Sequence, residues 1–123
     1  MNESKYVRAE LDGDVLCITP LFTYATFTEP GIAAEWEAVQ KQIDAPATRL
    51  VIVDLGEIPY FGSTVLEWMS LIWKRVKAKG GHMAAIRPSP IGREVLLAAR
   101  LDRLWGIYAT RDDALAGMLA LDS

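Results

Sequence analysis

The segment RLVIVDLGEIPYFGSTVLEWMSLIWKRV, Arg49 to Val76, decides how the rest of this sequence is read. It opens on an unbroken apolar run, Leu50 to Val53, of the kind buried on both faces of a parallel sheet. A bend punctuated by Gly56, Pro59 and Gly62 leads into a long helical pattern. At about 100° per residue, Val65, Met69, Ile72 and Val76 fall within about 60° of one another, the stripe of a core-facing side. Glu67 and Lys74 land opposite that stripe. Two hydroxyls, Ser63 and Thr64, stand at the helix mouth, where unpaired amides and the positive end of the dipole favour an oxygen acceptor or an anion.

Toward the N-terminus, Tyr6 to Leu11 and Asp14 to Leu21 flank Asp12-Gly13, a strong short-range signal for a tight hairpin. Phe22 to Thr28 is less regular. Thr28-Glu29-Pro30, a cap hydroxyl followed by a proline in the first turn, predicts a helix start. Ile32, Trp36, Val39 and Ile43 give that helix its inner face, and it ends before Pro46. Toward the C-terminus, Gly80-Gly81 closes the central helix and His82 to Ile86 forms a short strand. Ser89-Pro90 starts another helix, with Val95, Leu96 and Ala99 inward. Leu104 to Tyr108 reads as a last strand, and Thr110 to Asp113 as a capping-box-like start to a helix carrying Ala114, Leu115, Met118 and Leu119. Strands alternating with helices need crossovers. The prediction is therefore an α/β fold whose mixed sheet opens with an antiparallel hairpin and continues with parallel strands alternating with about four helices.

A chain of 123 residues, 51% of them hydrophobic, can build one core, so residues 1–123 are expected to form a single domain. No apolar run approaches the roughly 20 residues of a membrane span, and Met1 to Lys5 carry no apolar signal region, which predicts a cytoplasmic location without membrane insertion. The net charge of −3 offers no footprint for nucleic acid. Lys74, Arg75, Lys77 and Lys79 read as the solvated, dipole-complementing end of a helix. Cys17, the only cysteine, reads as a small hydrophobe in a strand.

Catalytic material is sparse. His82 is the one histidine and sits at a strand entry; no metal-ligand spacing and no glycine-rich phosphate loop occurs, so no metal and no cofactor are expected. Asp54 invites comparison with the phosphorylated aspartate of response-regulator receivers. However, the first strand ends in Leu11-Asp12-Gly13 rather than in an acidic pair, and Leu104 to Tyr108 has no lysine. From the residues alone, Thr64-Val65-Leu66-Glu67 is a capping box with Ser63 in the preceding loop, and Thr64→Ala would cost about 1 kcal/mol. Trp36 and Trp68 are expected in the core. Trp73 lies about 80° from the centre of the stripe and Leu66 about 100°, a border position that suits core or binding surface.

The central segment resembles the STAS domain, the fold of the anti-sigma factor antagonists. The family signature is a strand, Asp-Leu, an aromatic approach, then Asp-Ser-Ser-Gly-Leu opening a helix that ends in Lys/Arg. Val53-Asp54-Leu55, Tyr60-Phe61 and Lys74-Arg75 fit it, and Gly62-Ser63-Thr64-Val65-Leu66 occupies the five-residue core without a gap. The likeness continues through Gly80-Gly81, Pro88-Ser89-Pro90, Leu101-Asp102-Arg103-Leu104 and Asp112-Asp113-Ala114-Leu115. Gly62 stands in place of aspartate, Thr64 of the second serine and Val65 of glycine. The resemblance implies no enzymatic activity and a regulatory role: binding an anti-sigma factor that is also a serine kinase. Ser63 would be the phosphoacceptor, with Thr64 the alternative, and Gly62, Ser63, Thr64, Leu66, Glu67 and Trp73 the partner-binding residues. Two other readings stay open: an unphosphorylated STAS subunit of a larger regulatory or lipid-transport assembly, and a small enzyme or nucleotide-binding protein using a pocket at the strand ends.

Overall fold

A computed structural model describes residues 6–21 and 31–121. The elements are β1 (Val7–Asp12), β2 (Val15–Pro20), α1 (Ile32–Asp44), β3 (Leu50–Asp54), α2 (Ser63–Ala78) and β4 (His82–Ile86), then α3 (Pro90–Ala98), a 3₁₀ turn (Leu101–Arg103), β5 (Gly106–Tyr108) and α4 (Arg111–Ala120). The strands lie in the order β1-β2-β3-β4-β5. β1 and β2 are antiparallel, with Asp12 opposite Val15 across Gly13-Asp14. Gly13 has φ 65°, the left-handed value this tight turn requires. The β2/β3, β3/β4 and β4/β5 pairs are all parallel, as the crossover argument predicts.

Alternation along the strands assigns the two faces. Leu16, Ile18, Val51, Val53, Met83 and Ala85 join a core with Val39 and Ile43 of α1, Val65, Met69, Ile72 and Val76 of α2, and Leu96 of α3. Val15, Leu50, Ile52, Ala84 and Ile86 form a smaller cluster with Ala114 and Met118 of α4. Leu50 to Val53 are all at most 5% exposed, so the apolar run is a strand covered on both sides. Trp68 is buried, and Trp36, half-buried, packs its ring 5.9 Å from it. The cationic end of α2 grips α1. Lys79 Nζ donates to the Ile43 and Ala45 carbonyls, while Arg75 pairs with Asp44. These cations neutralise the carbonyl end of a neighbouring helix as well as their own.

Several boundaries differ from the sequence expectation. α1 begins at Ile32, after Gly31 at φ 89°, a left-handed residue that cannot continue a helix; Thr28-Glu29-Pro30 and the irregular Phe22 to Thr28 lie outside the described residues. β5 starts at Gly106 rather than Leu104, because the Leu104 and Trp105 amides donate back to the Leu101 carbonyl and close a turn. Ala99 and Leu119 are exposed; Gly92 and Leu96 are the buried residues of α3. The caps of α3 and α4 are as predicted. Ser89 accepts the Gly92 amide at 3.0 Å and Thr110 the Asp113 amide at 3.1 Å. No described helix is long and apolar enough to cross a membrane.

Candidate functional site: the loop after β3 and the mouth of α2

The loop between β3 and α2 is pinned from inside by every third residue. Leu55, Ile58 and Phe61 are 1%, 2% and 7% exposed, whereas Gly56, Glu57, Pro59, Tyr60 and Gly62 face outward. Three further contacts hold it from the β4–α3 side. Arg87 forks onto Asp54, Nε to Oδ1 at 3.0 Å and Nη2 to Oδ2 at 2.9 Å. Asp54 also accepts the Gly56 amide at 2.9 Å. Ser89 Oγ donates to the Pro59 carbonyl at 2.6 Å, so one hydroxyl caps α3 and ties down the loop.

Glycines permit two close approaches here. A Cβ on Gly92 would lie 2.7 Å from Phe61 Cε1, and one on Gly56 would run into the Arg87 guanidinium. Arg87 itself holds φ 54°, a left-handed conformation unusual for arginine. Its hydrogen bonds to Asp54, reinforced by that carboxylate's charge, raise its pKa further.

The result is a braced platform from which α2 departs. Ser63 is the first residue of α2 and is exposed; Thr64 is half-buried within the first turn. The expected capping box at Thr64 is therefore not formed. Gly62, extended at φ −120° and ψ −153°, takes the N-cap position two residues before Thr64, and Thr64 is already helical. Gly62 has no side chain to offer the first amides, and no acid lies in the first turn. A Cβ on Gly62 meets nothing within 4 Å, so the aspartate typical of the resembled family would fit without strain.

The structure brings Gly62, Ser63, Thr64, Leu66 and Glu67 together on the first turn and a half of α2, with Leu66 half-buried and Glu67 exposed. It does not bring Trp73 there. Ten residues along a helix is about 15 Å. Trp73 is half-buried against Trp105, ring centroids 6.4 Å apart, with Lys77 Nζ 4.7 Å above it. Tyr60 and Ile91, neither of them among the residues expected to bind a partner, are each 54% exposed on the two segments that the Ser89–Pro59 contact joins. The available signal was an apolar residue outside any core stripe, directly after Pro90.

The neighbourhood of Asp54 differs from a phosphorelay site. Asp54 is bound by Arg87, and the adjoining cavity of about 340 Å³ is lined by Arg8, Glu10, Cys17, Thr19 and Arg111 among others. Its charges are largely paired: Arg87 with Asp54, Arg111 with Asp12 at 3.3 Å, Arg8 with Glu10 at 3.9 Å. Burial, followed by the Asp54 charge, pushes the Cys17 thiol up, away from a nucleophilic thiolate. Among the described residues no group of three or more His, Cys, Asp or Glu is placed to hold a metal ion.

A five-stranded mixed sheet opening on a hairpin, with an exposed serine at the mouth of the helix that follows its central strand, defines the class. The family model of the STAS domain matches residues 25–114, and the chain belongs to that family. An anti-sigma-factor antagonist (STAS) domain protein from Planctomyces limnophilus is 28% identical, with a TM-score of 0.76 over 94% of this chain and 99% of that one. An anti-sigma factor antagonist from Mycobacterium paratuberculosis is 20% identical with a TM-score of 0.71, covering 91% of this chain and 92% of its own. The anti-sigma factor antagonist SpoIIAA in its unphosphorylated form is 15% identical with a TM-score of 0.68, covering 89% and 92%. These last two share the fold. No curated protein matches the chain.

Proposed function

We propose that this protein is a regulatory module acting by protein–protein recognition, an anti-sigma factor antagonist that docks an anti-sigma factor through the surface around Ser63. Phosphorylation of Ser63 by that partner is the switch, and the kinase chemistry and its ATP belong to the partner. The observation that carries the reading is Ser63 itself: exposed, first in α2, and preceded by a braced loop on which Tyr60 is exposed. Membership of the STAS family and the named antagonists among its structural relatives support it.

The switch has a simple physical basis. Phosphate adds about −1.5 to −2 charges. Free in solution, that charge sits at the positive end of α2 with no acid in the first turn, so the fold tolerates it. Packed against a partner, the same group would be desolvated. A hundredfold loss of affinity needs only about 2.7 kcal/mol. Gly62 in place of the family's aspartate favours a second reading, a constitutive adaptor that uses the same surface unmodified.

The test is to recover tagged protein from its own host, map phosphate on the peptide carrying Ser63, and measure binding of the co-purifying regulator to Ser63→Asp and Ser63→Ala. Phosphate on Ser63, with Ser63→Asp about a hundredfold weaker at unchanged melting temperature, is the expected result. An unmodified Ser63 under all growth conditions, with the partner retained by both variants, would sink the switch and leave the adaptor.

A further inference from the structure

A cavity of about 590 Å³ lies well away from Ser63, beyond the β5 edge at the amino ends of the parallel strands. That volume falls in the range of pockets that enclose a small molecule. Its apolar part comes from elements distant in sequence: Trp73 late in α2, Trp105 in the turn before β5, Met83 of β4 and Met118 of α4. Trp105 is 4% exposed, and the two indoles are tilted at 45° with centroids 6.4 Å apart, a rigid aromatic corner.

Charged groups in the lining favour a negative charge. Among the described residues Lys77 and Arg103 contribute two cations to the lining and Asp102 one carboxylate. The Lys77 ammonium, held 4.7 Å over the Trp73 ring, is fixed at the cavity by the aromatic face.

We propose that this cavity is a second binding site, for a small amphipathic carboxylate. The apolar body of the ligand lies against Trp73, Trp105 and Met118. Its carboxylate pairs with Lys77 at the rim. The site is independent of the Ser63 surface, about 15 Å away along α2, and stands whether or not Ser63 is phosphorylated.

The four tryptophans make the test direct, because each indole N–H gives its own NMR cross-peak. The full ¹⁵N-labelled chain is titrated with 4-phenylbutyrate, and separately with 4-phenylbutanol, which keeps the apolar body and lacks the charge. Saturable movement of the Trp105 and Trp73 indole peaks by the acid is expected, with Trp36, Trp68 and the Ser63 amide undisturbed. The alcohol should bind about tenfold more weakly, and exposed Lys77→Met should remove that difference while the chain stays folded. No saturable movement at millimolar acid, equal affinity for acid and alcohol, or movement confined to the Ser63 surface would each overturn the proposal. So would indole shifts that follow protein concentration instead of ligand, since the cavity would then be closed by a second copy of the chain.

Discussion

Arg87 joins an unfavourable backbone conformation to a favourable ion pair, and two substitutions separate them. The Arg87 side chain is 51% exposed and that of Asp54 15%, so the fork lies between a surface pair and a buried one. Exposed pairs contribute at most about 1 kcal/mol. Bidentate geometry and the enclosed carboxylate raise this one to about 1–2 kcal/mol, because without Arg87 the Asp54 oxygens keep only the Gly56 amide among the bonds described above. Holding a side chain at φ 54° costs about 1 kcal/mol.

Arg87→Met loses the pair and keeps the strain, a destabilisation of about 1–2 kcal/mol. Arg87→Gly loses the pair but relieves the strain, less about 0.5 kcal/mol for glycine's greater backbone entropy in the unfolded chain. The glycine variant should therefore be the more stable of the two by about 0.5 kcal/mol, despite being the larger truncation. In urea, Arg87→Met should move the midpoint by about 0.5–1 M at constant slope, and Arg87→Gly by visibly less. High salt should narrow the gap between native protein and Arg87→Met, since half of the pair faces water. Equal midpoints for the two variants, or a methionine variant as stable as the native chain, would refute the account of a strained residue held by its ion pair.

Other substitutions discriminate the two hydroxyls at helix starts. Thr64→Ala should cost less than about 0.5 kcal/mol, because Thr64 is inside α2 and not its cap, whereas Ser89→Ala should cost about 1–2 kcal/mol through loss of both the α3 cap and the Pro59 tie; thermal melts compare them. Gly92→Ala should cost about 1–3 kcal/mol by driving a methyl into the buried Phe61 ring, and should speed hydrogen exchange in residues 56–62. Cys17 should alkylate with iodoacetamide more slowly in the folded chain than in urea at pH 8, its rate rising only at more alkaline pH than for an ordinary thiol. The sign for stability follows from the same shift. A thiol held protonated in the folded state contributes fully below the ordinary thiol pKa and loses that contribution as pH rises through the raised one. A pH titration of the urea midpoint reads it.

Local pattern sufficed for much of this molecule. The Leu50–Val53 run, the Asp12-Gly13 hairpin and the Val65/Met69/Ile72/Val76 stripe each follow from side-chain period or from φ preference, properties carried within a few residues. The same is true of the Ser89 and Thr110 caps, whose hydroxyls bond amides three residues on. Ser63 was legible as a hydroxyl at a helix mouth for the same reason.

What tertiary structure decided is everything that depends on a residue's distant neighbour. The Asp54–Arg87 fork joins positions 33 apart and the Ser89–Pro59 bond positions 30 apart, and no periodicity reports such partners. The cap of α2 moved from Thr64 to Gly62 because Gly62 is extended between the buried anchors Phe61 and Val65, a matter of how the loop is seated on the core. Trp73 was a border residue by angle alone. Only the approach of Trp105 from the turn before β5 made it the wall of a cavity, because a helical stripe states which side chains face inward and leaves open what they meet.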